Sequence, residues 1–154
     1  MKTKPAKPLL DEAPEFAFGI IRQQQPSSIT CVQTCLAMAL SVDVARVIAV
    51  FGAAAMNQEQ LTSALTRCGV SWNQFIHGTP IFDGWYFAVV PSLNNRGGNH
   101  QILIHLHGGM TVFDPSGATR YRTDGSDLAG WSYLTPFWPG GTLPEPPTAL
   151  SELS

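Results

Sequence analysis

The sequence predicts an α+β domain in which N-terminal helices pack on a C-terminal antiparallel β-sheet. Between Thr30 and Gly69, apolar residues recur at spacings of three and four, as in helices with one buried face. From Val70 onward, short runs of alternating or continuous apolar residues are separated by glycine, proline and asparagine, which is typical of strands joined by turns. Because the helical pattern comes first and the strand pattern later, we expect two segregated layers.

Three helices are predicted in the first half, one that begins at Cys31 and two that span Val42–Phe51 and Gln58–Arg67. Hydroxyl side chains that can cap the first turn of the first helix precede it at Ser27, Ser28 and Thr30. The third helix has Asn57 as its expected N-cap and Gly69 as its left-handed stop.

Strands are predicted in the second half at Val70–Asn73, Trp85–Val90, His100–Leu106, Met110–Phe113 and near Arg120–Thr123. Turn residues lie between them at Pro80, Asp83-Gly84, Asn94 to Gly98 and Gly108-Gly109. Neighbouring strands separated by short turns favour antiparallel pairing.

The length, net charge and apolar runs of the chain argue against some classes of protein. A chain of 154 residues is long enough for one domain with a sizeable core. Nine Lys and Arg against eleven Asp and Glu give a formal charge of -2, and no basic cluster suits a nucleic-acid backbone. No apolar run approaches the roughly 20 residues that cross a bilayer. We therefore expect neither a nucleic-acid partner nor a membrane span.

Both ends of the chain are predicted to be tails. Residues 1–15 and 139–154 are rich in proline or glycine and poor in apolar residues, so both are predicted to be flexible, around a folded domain at 16–138. The N-terminus lacks the apolar stretch of a secretory signal. We expect a cytoplasmic protein, or one exported by a system that needs no signal peptide.

Three cysteines are present, an odd number that does not suggest a disulfide framework. Cys31 lies at the first turn of a predicted helix, where the helix dipole favours a thiolate. Cys35 lies one turn further in, and Cys68 reads as a small buried apolar residue. No further ligands follow at zinc-finger spacing, so neither a metal nor another cofactor is expected.

A histidine suited to act with this thiol begins the third predicted strand. His100 follows a polar, glycine-rich loop at 94–99, which would leave it beside a cleft. By contrast, His105 and His107 fall on the opposite strand face and read as solvated, as does His77 in a loop. An imidazole near a thiol takes its proton and serves as general base and acid.

Asp114 ends the next strand and has two interpretations. If the turn after Leu106 has three residues, Asp114 pairs opposite Ile102 and shares the face of His100, where it could orient the ring. With a two-residue turn it lies on the other face. In the alternative interpretation, Asp114 only initiates the turn formed with Pro115-Ser116-Gly117.

Gln25 stands six residues before Cys31, within a run of three glutamines. A side-chain amide at this point can donate a hydrogen bond to the oxyanion of a tetrahedral intermediate, together with the backbone N–H of Cys31. Gln24 or Gln23 would serve instead if the register differed.

Together these residues resemble the papain-like peptidases that process bacteriocin leader peptides after a double glycine. The resemblance covers about residues 22–118 and is carried by Gln25, Cys31-Val-Gln-Thr-Cys-Leu36-Ala37-Met38, Val90-Pro91-Ser92-Leu93-Asn94, Gly97-Gly98-Asn99-His100 and Phe113-Asp114-Pro115-Ser116. It implies a papain-like fold and a cysteine peptidase acting on a peptide or protein substrate. In that family Cys31 would be the nucleophile, His100 the base and acid, and Asp114 the orienting residue.

Departures from the family pattern leave other functions open. Val32 and Asn99 stand where the family usually has glycine, and the transporter segments are absent, so the double-glycine preference does not carry over. The same residues could serve a glutamine deamidase or acyltransferase, including a toxin or effector with an immunity or chaperone partner. An inactive binding module is the third alternative, its recognition surface formed by Trp72, Trp85, Trp131 and Trp138, which otherwise read as core or core rim.

Overall fold

The computed structural model describes residues 16–17, 20–74, 82–91, 99–107, 109–116 and 133–146, and the structural statements below concern these residues. Two short strands, β1 (Phe16–Ala17) and β2 (Ile20–Ile21), precede three helices, α1 (Cys31–Leu40), α2 (Val44–Phe51) and α3 (Gln58–Arg67). Five further strands follow: β3 (Ser71–Trp72), β4 (Gly84–Pro91), β5 (Asn99–Leu106), β6 (Met110–Phe113) and β7 (Tyr133–Trp138). The predicted α+β class is confirmed.

The main sheet is antiparallel and has the strand order β3-β7-β4-β5-β6. Strand β7, which the sequence analysis did not predict, lies between β3 and β4. It contains Pro136, a residue that usually argues against a central strand because it lacks an N–H. The carbonyl of Pro136 accepts from Asn73 N–H at 2.9 Å, so the missing donor faces the two-residue strand β3 rather than β4. The strand predicted near Arg120–Thr123 lies outside the described residues.

The helix predictions are confirmed with two changes. Helix α3 has the predicted bounds, and Asn57 and Gln60 form a reciprocal capping box at its start. Helix α2 begins at Val44, because Asp43 in an extended conformation accepts from the Ala45 N–H at 2.8 Å and caps the helix.

The prediction that a side chain caps the first turn of α1 is wrong. Thr30 is the N-cap residue, but its hydroxyl donates backward to Ser27 O at 3.1 Å instead of accepting from the first turn. The first-turn N–H groups of α1 are thus not taken by a side-chain cap.

The core lies on both faces of the sheet. Helix α1 is buried from Val32 to Ala39 and packs on β5. The sheet face that joins this cluster contributes Phe87, Leu103, Phe113 and Phe137. The other face is also buried and contributes Tyr86, Ala88, Val90, Ile102, Ile104, Val112 and Leu134. Because each fully buried large apolar side chain contributes about 1.5–3 kcal/mol, this packing holds α1 rigidly against β5.

Residues 141–143 contact the domain, although the sequence analysis assigns them to the C-terminal tail. The Thr142 N–H donates to Cys68 O at 2.8 Å, and Leu143 is part of the core cluster. Gly141 has φ of +87°, and a Cβ atom there would lie 2.4 Å from Cys68 O, so only glycine fits. Residues 147–154 and 1–15 lie outside the described part of the chain.

Among the described helices, none alone has the length and apolar character to cross a bilayer; α1 and α2 reach that length only as a pair bent by 116°.

Candidate active site

The first element of the candidate site is the N-terminus of α1. Cys31 is the first residue of this helix, and the first helical hydrogen bond runs from Thr34 N–H to Thr30 O at 3.1 Å. The helix dipole places partial positive charge at this end, which favours a thiolate. Cys31 is partly exposed, whereas Cys35, one turn further along, is fully buried. Only the first of the two sulfurs is therefore placed to meet a molecule from solvent.

The second element is the start of β5, where His100 lies close enough to Cys31 for each side chain to shift the pKa of the other. The other side of the ring meets Asp114, whose Oδ1 lies 2.6 Å from His100 Nε2. Because Nε2 is taken by the carboxylate, Nδ1 is the ring nitrogen left for the thiol. Thiol, imidazole and carboxylate thus follow one another in the site, with the imidazole in the middle.

The register in which β5 pairs with β6 brings His100 and Asp114 together. Leu106 pairs with Met110, so the turn has three residues, 107–109, and its ends are joined by the His107 N–H donating to Gly109 O at 2.9 Å. Leu103 pairs with Phe113, which sets Asp114 beside Ile102 on the face of His100. Of the two turn lengths considered from the sequence, the structure has the three-residue turn.

Asp114 makes contacts of both kinds that were considered from the sequence, one to His100 and others within the turn. Its Oδ1 also accepts from the backbone N–H and the hydroxyl of Ser116, each at 2.7 Å. The carboxylate is almost fully buried, with 1% of the side chain exposed. The turn that follows β6 therefore fixes the oxygen that accepts from the His100 ring.

The electrostatics of the pair favour a thiolate and an imidazolium. Burial acts to raise the pKa of Cys31, but hydrogen bonds from His100 and from the backbone N–H groups of Gln101 and Val32, with the charge of His100, leave that pKa lowered. Burial likewise acts to lower the pKa of His100, but Asp114 and then Cys31 raise it to about 9. The two groups titrate as a coupled pair, in which each charge stabilises the other.

The other two thiols are in different surroundings. Burial raises the pKa of Cys35 well above its usual value, and the thiol donates to Gln101 O at 3.5 Å. Burial also raises the pKa of Cys68. Both lack an imidazole partner among the described residues, so Cys31 is the cysteine with the surroundings of a nucleophile.

The three glutamines before α1 are placed differently. Gln23 has a local structural role, since its amide donates to Val42 O at 2.7 Å and accepts from Val44 N–H at 2.8 Å at the start of α2. Gln24 is exposed. Gln25 is joined to the end of the site through its backbone N–H, which donates to Pro115 O at 2.6 Å, while its side-chain amide donates to Ser27 O at 2.7 Å. The oxyanion role of Gln25 stays a prediction.

A cleft of about 240 Å³ opens over the thiol and the imidazole. Its described lining consists of Cys31, Val32, Met56, Asn57, Gln58, Val89, Asn99, His100 and Gln101. Apart from the reactive pair itself, these residues are apolar or carry neutral amides. The described tryptophans are elsewhere: Trp85 is half-buried against His105, and Trp72 and Trp138 are exposed on β3 and β7.

The predictions for the other histidines and for Trp131 have different outcomes. His105, predicted to be solvated, is half-buried, with its ring centroid 4.4 Å from that of Trp85. His107 is exposed as expected and lies 3.6 Å from the Asp83 carboxylate. His77 and Trp131 lie outside the described residues.

In the described part of the chain, no group of three or more His, Cys, Asp or Glu side chains could hold a metal ion.

No protein-family model and no curated protein sequence matches the chain. The chemistry of the site is therefore read from its own groups. A thiol with a lowered pKa, an imidazole beside it and a carboxylate hydrogen-bonded to the ring are groups that can together activate a nucleophile.

Proposed function

We propose that this protein is a cysteine hydrolase that cleaves amide bonds, most directly peptide bonds, through an acyl-enzyme on Cys31. The observation that carries the proposal is the position of His100, which is hydrogen-bonded to Asp114 and lies beside the Cys31 thiol. A purely structural cysteine needs no imidazole partner, and a purely structural aspartate needs no histidine beyond the turn it already closes with Ser116.

Each group has one task in the reaction. The Cys31 thiolate attacks the substrate carbonyl carbon, forming a C–S bond and a tetrahedral oxyanion. The His100 imidazolium gives its proton to the amide nitrogen as the C–N bond breaks, and an amine leaves. His100 then takes a proton from water, whose oxygen attacks the thioester and releases a carboxylic acid and the thiol. Asp114 holds the ring in orientation throughout.

Stabilisation of the oxyanion falls to donors at the start of α1. The backbone N–H of Cys31 belongs to the first turn of the helix, where N–H groups have no intrahelical partner and no side-chain cap takes them. The side-chain amide of Gln25 is the second proposed donor. It retains one hydrogen beyond the one given to Ser27 O.

A papain-like arrangement is proposed for the fold on the same grounds. The nucleophile opens a buried helix, the helix packs on an antiparallel sheet, and the imidazole and carboxylate come from adjacent strands of that sheet. The order of these groups along the chain, cysteine first and then histidine and aspartate, agrees with the sequence resemblance. A peptide or protein is accordingly the proposed substrate.

The test is competitive labelling of the three thiols. The purified protein is treated with iodoacetamide near pH 7, and modification at each cysteine is followed by mass spectrometry. Modification of Cys31 well ahead of Cys35 and Cys68, with loss of that selectivity in His100→Ala, supports the proposal. Equal and slow modification of all three thiols would contradict it and favour an inactive binding module.

The products then identify the reaction. The wild-type protein should generate new amino termini in a library of denatured proteins, and Cys31→Ala should generate none. Release of ammonia without new termini would instead assign the site to deamidation of glutamine side chains, which uses the same residues.

A further inference from the structure

One polar side chain in the cleft is not used by the reaction scheme above. Gln101 follows His100 in β5, pairs with Val89 of β4, and lines the same cleft as Cys31. Its side chain is almost fully buried, since the residue is only 4% exposed. A buried carboxamide has a fixed number of donors and acceptors to satisfy, so each of its atoms can be accounted for.

The amide nitrogen of Gln101 is fully committed. Its two hydrogens are directed to Ala88 O at 3.0 Å and to Ile102 O at 3.2 Å. The opposite assignment of the amide would set its oxygen against two carbonyl oxygens, which repel it, so the orientation is fixed by the chemistry of its neighbours. The oxygen Oε1 is the atom left on the other side, and it has no hydrogen-bond donor among the described residues.

The other side-chain amides of the cleft are less constrained. Gln58 is half-buried and donates one hydrogen to Thr135 Oγ1 at 2.7 Å, and Asn57 is exposed and uses its oxygen in the cap of α3. Asn99 is exposed. Among these amides, Gln101 alone combines near-complete burial with an acceptor that is both fixed and unpaired. Because this oxygen has no donor among the described residues and Gln101 lines the cleft, a bound N–H group can donate to it.

We infer that Gln101 is a substrate-binding residue whose carboxamide oxygen accepts a hydrogen bond from a backbone N–H of the substrate, next to the bond that is cleaved. The inference rests on the proposed function. It names the substrate class as an uncharged peptide segment with a free amide hydrogen at one position beside the scissile carbonyl. Proline or an N-methylated residue at that position lacks the hydrogen and is a poor substrate.

The character of the cleft agrees with this substrate class. Val32, Met56 and Val89 supply apolar contact, and the polar lining outside the reactive pair is neutral amide. Apart from the Cys31–His100 pair, the described lining residues offer no opposite charge to a charged side chain that would be desolvated here. A neutral peptide, by contrast, has its apolar side chains and its amide hydrogens complemented together.

The experiment measures covalent capture, which needs no turnover. An alanine tripeptide vinyl sulfone and its three derivatives, each N-methylated at one amide, are reacted with the full-length protein. Each rate of modification at Cys31 is divided by the iodoacetamide rate of the same variant, so that changes in thiol reactivity cancel. The variants are Gln101→Met, which removes the acceptor at similar size, and Gln58→Met as the matched control on another amide of the cleft.

We expect one N-methylated reagent to react about 5–10-fold more slowly than its parent in the wild-type protein and in Gln58→Met, as the loss of one buried hydrogen bond predicts. In Gln101→Met, where no acceptor remains to be lost, the N-methylated reagent and its parent should react at rates that differ by less than about twofold. If Gln101→Met does not fold, the same comparison is made in Gln101→Leu, which also removes the acceptor and should show the same small difference.

Two results overturn the inference. One is an equal N-methyl penalty with and without the Gln101 oxygen, and the other is no penalty at any of the three positions in the wild-type protein. Failure of the proposed function has a different signature, because Cys31 would then show no selective reaction with iodoacetamide itself.

Discussion

Asp114 Oδ1 accepts from His100 Nε2 at 2.6 Å while it also accepts from the backbone N–H of Ser116 at 2.7 Å. One oxygen atom, directly after strand β6, therefore accepts hydrogen bonds both within the next turn and from the imidazole. A carboxylate fixed by the backbone cannot turn away from the ring, so the orientation of His100 is set by folding rather than by substrate binding. For the proposed reaction this is preorganisation, which reduces the rearrangement that the reaction needs.

The two cysteines of α1 should respond differently to truncation. Cys31→Ala should abolish turnover and leave the fold intact, because the side chain is partly exposed at a helix start. Cys35→Ala should retain turnover and lower the free energy of unfolding by about 1–2 kcal/mol, because it removes one buried sulfur atom. Product assays and urea denaturation of both variants check this, and full activity in Cys31→Ala would exclude Cys31 as the nucleophile.

The reactivity of Cys31 should depend on pH in a way that His100 sets. Since the pKa of Cys31 is lowered, its alkylation should already be fast below the range where a free thiol, with a pKa of about 8.5, ionises. In His100→Ala the hydrogen bond and the charge are lost while burial remains, so the pKa and the alkylation midpoint should rise. An unchanged profile in the variant would mean that the helix alone activates the thiol.

The same imidazole should set the upper limit of the activity profile. His100 must be protonated to release the amine, and its pKa is raised to about 9. Turnover should therefore fall as the pH rises through about 9, when the ring loses its proton. In Asp114→Asn the main cause that raises the pKa is weakened, so the decline should begin at lower pH. A decline at the same pH in both proteins would argue that another group limits turnover.

Asp114 should tolerate an amide better than truncation. Asp114→Asn should lower turnover about tenfold, because the amide oxygen still accepts the ring N–H, and Asp114→Ala should lower it about 100-fold, because the ring loses its partner. Ser116→Ala, which removes one donor to the same oxygen, is the control for the turn alone and should have the smallest effect. If it equals Asp114→Ala, the aspartate acts mainly through the turn.

Two of the glutamines before α1 should separate into a catalytic and a structural role. Gln25→Ala should lower kcat about 100-fold with little change in KM, as expected for loss of one oxyanion donor. Gln23→Ala should instead lower the free energy of unfolding by about 1 kcal/mol, because it frees the Val44 N–H at the start of α2. A kcat in Gln25→Ala equal to that of the wild-type protein would leave the backbone N–H of Cys31 as the main donor.

The sequence by itself predicted the elements whose signals are local. Helix α3 and strand β6 have their predicted bounds, because the periodicity and the capping residues of each lie within or beside the element. The candidate residues at Cys31, His100 and Asp114 were also identified from local context, each at the end of a helix or strand. What the local pattern left open was the turn length after Leu106, and with it the strand face of Asp114.

Only the tertiary structure decided the relations between distant parts of the chain. The insertion of β7 between β3 and β4 and the contact of Leu143 with the core depend on contacts over long sequence separations. The three-residue turn depends on the register in which β5 pairs with β6. The acceptor of Gln101 had no sequence signal, since it depends on where the carbonyls of Ala88 and Ile102 lie. Periodicity reports which face of an element is apolar, whereas hydrogen-bond partners and strand order are fixed only when the elements pack against one another.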